Sequence, residues 1–107
     1  MIPPPARAGA TARMKSYVYL LQSSQDKTYY LGWTTEPLRR LVEHNQGTSP
    51  FTRHKRPWRL MGIEWHETSE AAKVRERALK RNPRMLQLFK KRVLNRAAIG
   101  RPWRVVG

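Results

Sequence analysis

Two runs of β-forming residues on either side of a short polar stretch constrain this chain more than anything else in it. Tyr17-Val18-Tyr19-Leu20-Leu21 and Thr28-Tyr29-Tyr30-Leu31-Gly32-Trp33 read as strands, and Ser23-Ser24-Gln25-Asp26-Lys27 reads as the turn between them. Both runs are apolar at successive positions, so both faces of the hairpin need cover. With the turn centred between Gln25 and Asp26, Leu21 pairs with Tyr30 and Tyr19 with Gly32. Tyr19 and Tyr30 then point to one face, and a slip of a single residue separates them. Gly32 weakens the strand it sits in, which calls for a reason: close approach of a ligand backbone, or a bulge.

The remaining elements supply the cover. Thr34 or Thr35 caps a helix with Glu36 and Pro37 in its first turn, Leu38, Leu41 and Val42 as its apolar stripe, and Gly47 as its left-handed stop. Residues 48–57 form a basic loop, and Trp58 to Trp65 reads as a third, imperfectly alternating strand. Thr68 or Ser69 caps a second helix running to about Lys80, with Ala71, Ala72, Val74, Ala78 and Leu79 on its buried side. Asn82-Pro83 starts a third helix, which buries Met85, Phe89, Val93 and Ala97, backed by Leu86 and Leu94. Its other face carries Lys90, Lys91, Arg92 and Arg96. The order β-β-α-β-α-α predicts an α+β domain, a three-stranded antiparallel sheet flanked by helices, over residues 15–99. Residues 1–14, with three consecutive prolines, read as a disordered tail and residues 100–107 as a C-terminal tail. Met14 is a candidate natural first residue.

Charge sets the class of partner. Lys and Arg number 22 against 7 Asp and Glu in 107 residues, a net charge of +15. Such an excess binds polyanions through phosphate contacts and counterion release. No apolar run approaches the length of a membrane span. The chain has no cysteine, which excludes disulfides, thiolate metal sites and cysteine nucleophiles and fits a reducing, cytoplasmic setting. Charge alone does not distinguish cutting from binding, nor either from an RNA-associated structural protein.

The residues able to do chemistry are few, and each has a plain structural reading beside the functional one. Strand tyrosines usually only pack. Arg40 and His44, four apart, share a helix face away from the apolar stripe; that face clamps a phosphate and exchanges a proton, or is merely solvated. Glu76 lies on the shoulder of the second helix with Lys80 four residues on, either a surface ion pair or a carboxylate holding a hard cation. In the loop, Thr52 is followed by Arg53, His54, Lys55 and Arg56, flanked by Phe51 and Trp58; this suits a phosphate backbone and stacked bases, or is a solvated charge run.

Taken in order, Tyr17-Val18-Tyr19, Tyr30-Leu31-Gly32, Arg40, His44, Glu76 and Lys80 resemble the GIY-YIG nuclease family, over residues 16 to about 81. The run YLGWTTEPLRRLVEHNQG is the most specific part, and the RPW before the third strand together with AKVRERALK resembles the small stand-alone bacterial members. Tyr17 stands where the family has glycine, leucine replaces isoleucine in the second motif, and Asn82 and Asn95 both remain open for a further family asparagine. The resemblance implies a metal-dependent endonuclease hydrolysing phosphodiester bonds in DNA, structure-selective or weakly sequence-specific, with no membrane or organic cofactor. Glu76 would hold Mg²⁺ or Mn²⁺, Arg40 would stabilise transition-state charge, and Tyr19, Tyr30 and His44 would orient or deprotonate the attacking water, Tyr19 or His44 being the proton acceptor. Arg39, Arg53, His54, Lys55, Arg56 and Lys80 are the expected nucleic-acid contacts. The alternative is a non-catalytic nucleic-acid-binding module on the same fold.

Overall fold

A computed structural model describes residues 15–98, with side chains through Asn95. Both tails, and the side chains of Arg96 and Ala97, lie outside the described residues. Three strands, β1 (Ser16–Ser23), β2 (Tyr29–Thr34) and β3 (Trp58–His66), form one antiparallel sheet in the order β2-β1-β3. Three helices surround it: α1 (Pro37–Gln46), α2 (Ser69–Arg81) and α3 (Pro83–Ala98). This is the expected order and fold class. Among the described residues no helix is long and apolar enough to cross a membrane.

The hairpin pairs in the expected register, Tyr19 opposite Gly32 and Leu21 opposite Tyr30. Strand periodicity then divides the side chains between two layers. On one face Val18, Leu20 and Leu31 pack with Met61, with Ala72 and Leu79 of α2, and with Phe89 and Val93 of α3. On the other, Tyr19 and Leu21 pack with Trp58 and Leu60, against Tyr30, Ile63 and Leu41 of α1. Cover on both faces of β1 makes it the buried centre: Val18, Leu20 and Leu21 are fully inaccessible. The irregular alternation of β3 has a local cause. Leu20 pairs with Gly62 while Leu21 pairs with Leu60, so Met61 is an extra residue in a bulge. The bulge turns Met61 into one layer and keeps both Leu60 and Ile63 in the other.

The caps of α2 and α3 form as read: Ala71 N–H donates to Thr68 Oγ1 at 3.0 Å, and Met85 N–H to Asn82 Oδ1 at 3.1 Å. At α1 the N-cap position is Glu36 and no side chain caps the helix, although Thr34 Oγ1 accepts the Glu36 N–H at 3.1 Å. Gly47 closes α1 with φ 82°, left-handed as expected.

Two apolar stripes differ from expectation. On α1, Leu38 and Val42 are 61% and 52% exposed, and the inward residues are Leu41 and His44. The layer α1 covers is built from tyrosines, whose hydroxyls need a polar partner, so the helix rotates an imidazole inward rather than a second aliphatic side chain. On α2, Ala71 and Val74 are exposed, and Ala72 and Leu79 are buried. The flank of α2 beside Ala72 and Leu79 also carries Arg75, which clamps Glu64 of β3 through Nε at 2.8 Å and a terminal nitrogen at 3.1 Å. Burial alone would raise the Glu64 carboxyl, but the bonds from Arg75 and His66 outweigh it and hold it below the usual carboxylate range.

Candidate active site

The site begins with an absent side chain. A Cβ on Gly32 would stand 2.6 Å from the Tyr19 hydroxyl oxygen and 2.7 Å from Cζ. The pairing of β2 with β1 is regular here, so no bulge accounts for this glycine. Instead the Tyr19 ring lies across β2 in the space a methyl group would fill, which carries its hydroxyl outward over the edge strand.

The Tyr19 hydroxyl meets His44 Nε2 at 3.0 Å, and His44 Nδ1 lies 2.7 Å from Thr52 Oγ1. The Arg40 guanidinium lies close enough to act on the phenol. Either neutral tautomer of His44 satisfies both contacts: with Nδ1–H donating to Thr52 Oγ1, Nε2 accepts the phenol proton, and with Nε2–H donating to the phenol oxygen, Nδ1 accepts the Thr52 hydroxyl. The burial of His44, with Arg40 nearby, pulls its pKa down to about 4 against the opposing pull of Glu43. Burial pushes the Tyr19 phenol up to about 12, with Tyr30 and Glu76 adding to the rise and Arg40 opposing it.

The face of Arg40 and His44 is thus not a solvated one. Arg40 is half-buried and bonded to Glu43 at 2.8 Å, and His44 is fully buried. Tyr30 completes the aromatic wall, its ring 5.0 Å from the His44 ring and 6.3 Å from that of Tyr19.

Glu76 belongs to α2, which packs on the opposite layer from these tyrosines. Its links to them are electrostatic and run through Lys80. Its charge is felt at the Tyr19 phenol, and Lys80 Nζ, 2.9 Å from Glu76 Oε2, lies 5.9 Å from the Tyr30 ring centre. Among the described residues no group of three or more His, Asp and Glu could hold a metal ion. A cation here would rest on one carboxylate, with phosphate and water oxygens supplying the other positions, as Mg²⁺ accepts. Glu76 fits that demand better than its neighbours. Glu43 and Glu64 are bound by arginines, whereas the partner of Glu76 is a half-exposed lysine on a flexible stem.

The basic loop divides. Lys55 pairs with Asp26 at 3.2 Å, and Arg56 folds back so that Nε–H donates to the Arg53 carbonyl at 2.7 Å. Arg53 and His54 are exposed and line an open polar pocket with Gln25, Asn45, Arg56 and Pro57. Phe51 is 87% exposed and free to stack, but Trp58 is 5% exposed and donates its indole N–H to the Thr52 carbonyl at 2.8 Å. Trp58 is a core residue, so only one aromatic flanks the loop at the surface. Arg39 is exposed and spans Glu36 and Glu43 at 3.6 and 3.3 Å. Thr52 and Glu64 were not marked by their sequence neighbourhoods: a threonine opening a charge run and a glutamate among strand residues carry no local signal of burial.

Residues 15–91 match the family model described as the GIY-YIG catalytic domain. Relatives include a UPF0213 protein of Syntrophus aciditrophicus, 40% identical over 80 residues that cover 71% of this chain and 91% of that protein. A UPF0213 protein of Enterococcus faecalis is 41% identical over 70 residues, 63% of this chain and 80% of the relative. One from Haloquadratum walsbyi is 40% identical over 65 residues, covering 60% and 72%.

Proposed function

The chain belongs to the GIY-YIG family, and from that premise we propose that it is a divalent-metal-dependent endonuclease that hydrolyses phosphodiester bonds in DNA. The observation that supports this reading is the Tyr19–His44 contact with Tyr30 beside it, linked to Glu76 through Lys80 over the Tyr30 ring, with Arg40 acting on the phenol. A net charge of +15 supplies the attraction for a polyanion.

Glu76 would hold the cation, Mg²⁺ or Mn²⁺, whose chemistry is to polarise a phosphoryl oxygen and acidify water. The protein's own groups do the rest. Arg40 presents its guanidinium to the charge that develops on the phosphoryl oxygens. Tyr19, too weak an acid to ionise at neutral pH, takes a proton from the attacking water as it passes its own to His44 Nε2. In the tautomer that serves this step Nδ1–H donates to Thr52, which leaves Nε2 free for that proton. The depressed basicity of His44 opposes the transfer, and part of that depression comes from Arg40. A phosphate seated on Arg40 neutralises this contribution, so the imidazole becomes a better acceptor when substrate is bound. Tyr30 walls the relay and orients the water. Arg39, Arg53, His54, Lys55, Arg56 and Lys80 hold the polymer by its phosphates, and a domain this small has little surface for long sequence readout, so cutting is structure-selective or weakly specific.

Labelled single-stranded, duplex and flap oligonucleotides, incubated with Mg²⁺ or Mn²⁺ and in parallel with a chelator, test the reading. Cleavage that requires the metal supports it. Cleavage that persists in excess chelator overturns the metal mechanism, and tight binding without cleavage of any substrate leaves a non-catalytic nucleic-acid-binding module.

A further inference from the structure

Three lysines sit over three aromatic rings of one strand. Lys73 Nζ is 5.2 Å from the Trp33 ring centre, Lys80 Nζ 5.9 Å from that of Tyr30, and Lys90 Nζ 4.9 Å from that of Tyr29. Trp33 and Tyr29, four apart, lie on the face of β2 that packs with α2 and α3, and Tyr30 lies on the other, so Lys80 meets its ring on the opposite side of this strand from Lys73 and Lys90. Trp33 and Tyr29 are about 13 Å apart along the strand, and Glu76 lies between Lys73 and Lys80 along α2.

The strand that carries the rings is an edge of the sheet. An ammonium drawn toward a ring face loses some of the freedom of its stem, so its charge is held near one place. The rings, each covered by a cation, offer little open face for bases to stack on. A row of placed positive charges with capped aromatics reads phosphates, spaced along a single path, and ignores base identity.

We infer that one nucleic-acid strand runs along the β2 edge, its phosphates held by Lys73 on one side of Glu76 and by Lys80 and Lys90 on the other. Trp33 and Tyr29 seat the outer two lysines. The inference rests on the nuclease reading for what lies at the centre of the row, yet it makes a claim about binding alone. It sets the path of the strand on the β2 side of the domain and gives the loop cations Arg53 and His54 a separate role, beyond the row.

Binding of a fluorescent single-stranded oligonucleotide, measured in chelator across a salt series, tests it without any cleavage. Each phosphate contact on a single strand contributes about 0.7 to the slope of log K against log salt. The double variant Lys73→Gln/Lys90→Gln is expected to lower that slope by about 1.4 while retaining the parental unfolding midpoint to within a few degrees. The control Lys15→Gln/Arg59→Gln removes the same charge from exposed positions beside β3, the opposite edge, where Lys15 lines a pocket with Trp65, and is expected to leave the slope unchanged. An unaltered slope in the first variant, or an equal fall in both, overturns the row as the strand's path. Because no cleavage is read, a protein that binds through the row and never cuts sinks the nuclease reading and keeps this one. One that cuts, with a slope indifferent to Lys73 and Lys90, does the reverse.

Discussion

Adding a single methyl group at residue 32 separates the site from the fold that carries it. In Gly32→Ala the new Cβ falls 2.6 Å from the Tyr19 hydroxyl oxygen, 2.7 Å from Cζ and 3.0 Å from Cε1, where ordinary contact begins near 3.4 Å. The phenol must therefore shift by about 0.8 Å. It has little room, being 2% exposed and wedged between the rings of Tyr30 and His44. A shift of that size away from the imidazole stretches the 3.0 Å bond to His44 beyond hydrogen-bonding range. Losing the bond costs about 1 kcal/mol of stability, while replacing glycine within a strand returns about 0.5–1 kcal/mol of chain entropy. The two nearly cancel, so unfolding in urea should change by no more than about 1–2 kcal/mol. Turnover should not be spared: a misplacement approaching 1 Å in a reacting constellation costs on the order of 10²-fold. The assay is single-turnover cleavage of a labelled oligonucleotide at saturating metal, beside a urea titration of the same sample. A variant that cuts at the parental rate refutes the argument, and so does one whose activity is lost because the domain no longer folds.

Further outcomes follow from the same geometry. Glu76→Ala is expected to abolish cleavage while changing oligonucleotide affinity by no more than a few-fold, read by gel shift and rate in parallel; parental cutting would mean the carboxylate is misassigned. Arg40→Ala should lower turnover by about 10²–10³-fold and affinity far less, seen as a change in kcat larger than that in KM. His44 has a folded pKa of about 4 against about 6.5 unfolded. The unfolded chain therefore binds a proton first as pH falls, and stability present above pH 6.5 is lost between pH 6.5 and 4, by about 3 kcal/mol. Urea midpoints of the parent and of His44→Gln should converge over that window, and a parent whose midpoint is flat there contradicts the buried neutral ring. For the same reason kcat/KM should show no acid limb centred near pH 6.5. Phe89→Ala, emptying a fully inaccessible ring from the layer between the sheet and α3, should cost about 3–5 kcal/mol in urea unfolding.

What the sequence disclosed depended on how local each signal is. The register of β1 and β2 follows from a short turn and a period of two, and it places Tyr19 opposite Gly32 without any tertiary knowledge. The caps at Thr68 and Asn82 and the left-handed Gly47 are likewise contained in a few consecutive residues. The inward face of α1 was not legible, because Leu38 and Val42 look like core and His44 does not. Only the tyrosines on the sheet beneath decide the matter. The same holds for the bulge at Met61, which depends on the partner strand, and for the burial of Trp58, which looked like a loop flank. Glu76 has an ordinary local explanation as the partner of Lys80, and its candidacy as a metal ligand came from the family pattern rather than from the residues around it. The purpose of Gly32 needed coordinates, since the group that fills its space comes from the neighbouring strand.

The threonine at the root of the basic loop has two attachments, one to the imidazole through its hydroxyl and one to the indole through its carbonyl. On the proposed reading, the loop that holds the polymer is thereby joined to the group that receives the proton. Insertions or exchanges between residues 48 and 57 that shift this root by even a fraction of an ångström also retune the imidazole, so the loop cannot diversify for new substrates independently of the chemistry. Tolerance for variation should begin past residue 52, at the solvent-facing cations, and stop abruptly at the threonine itself.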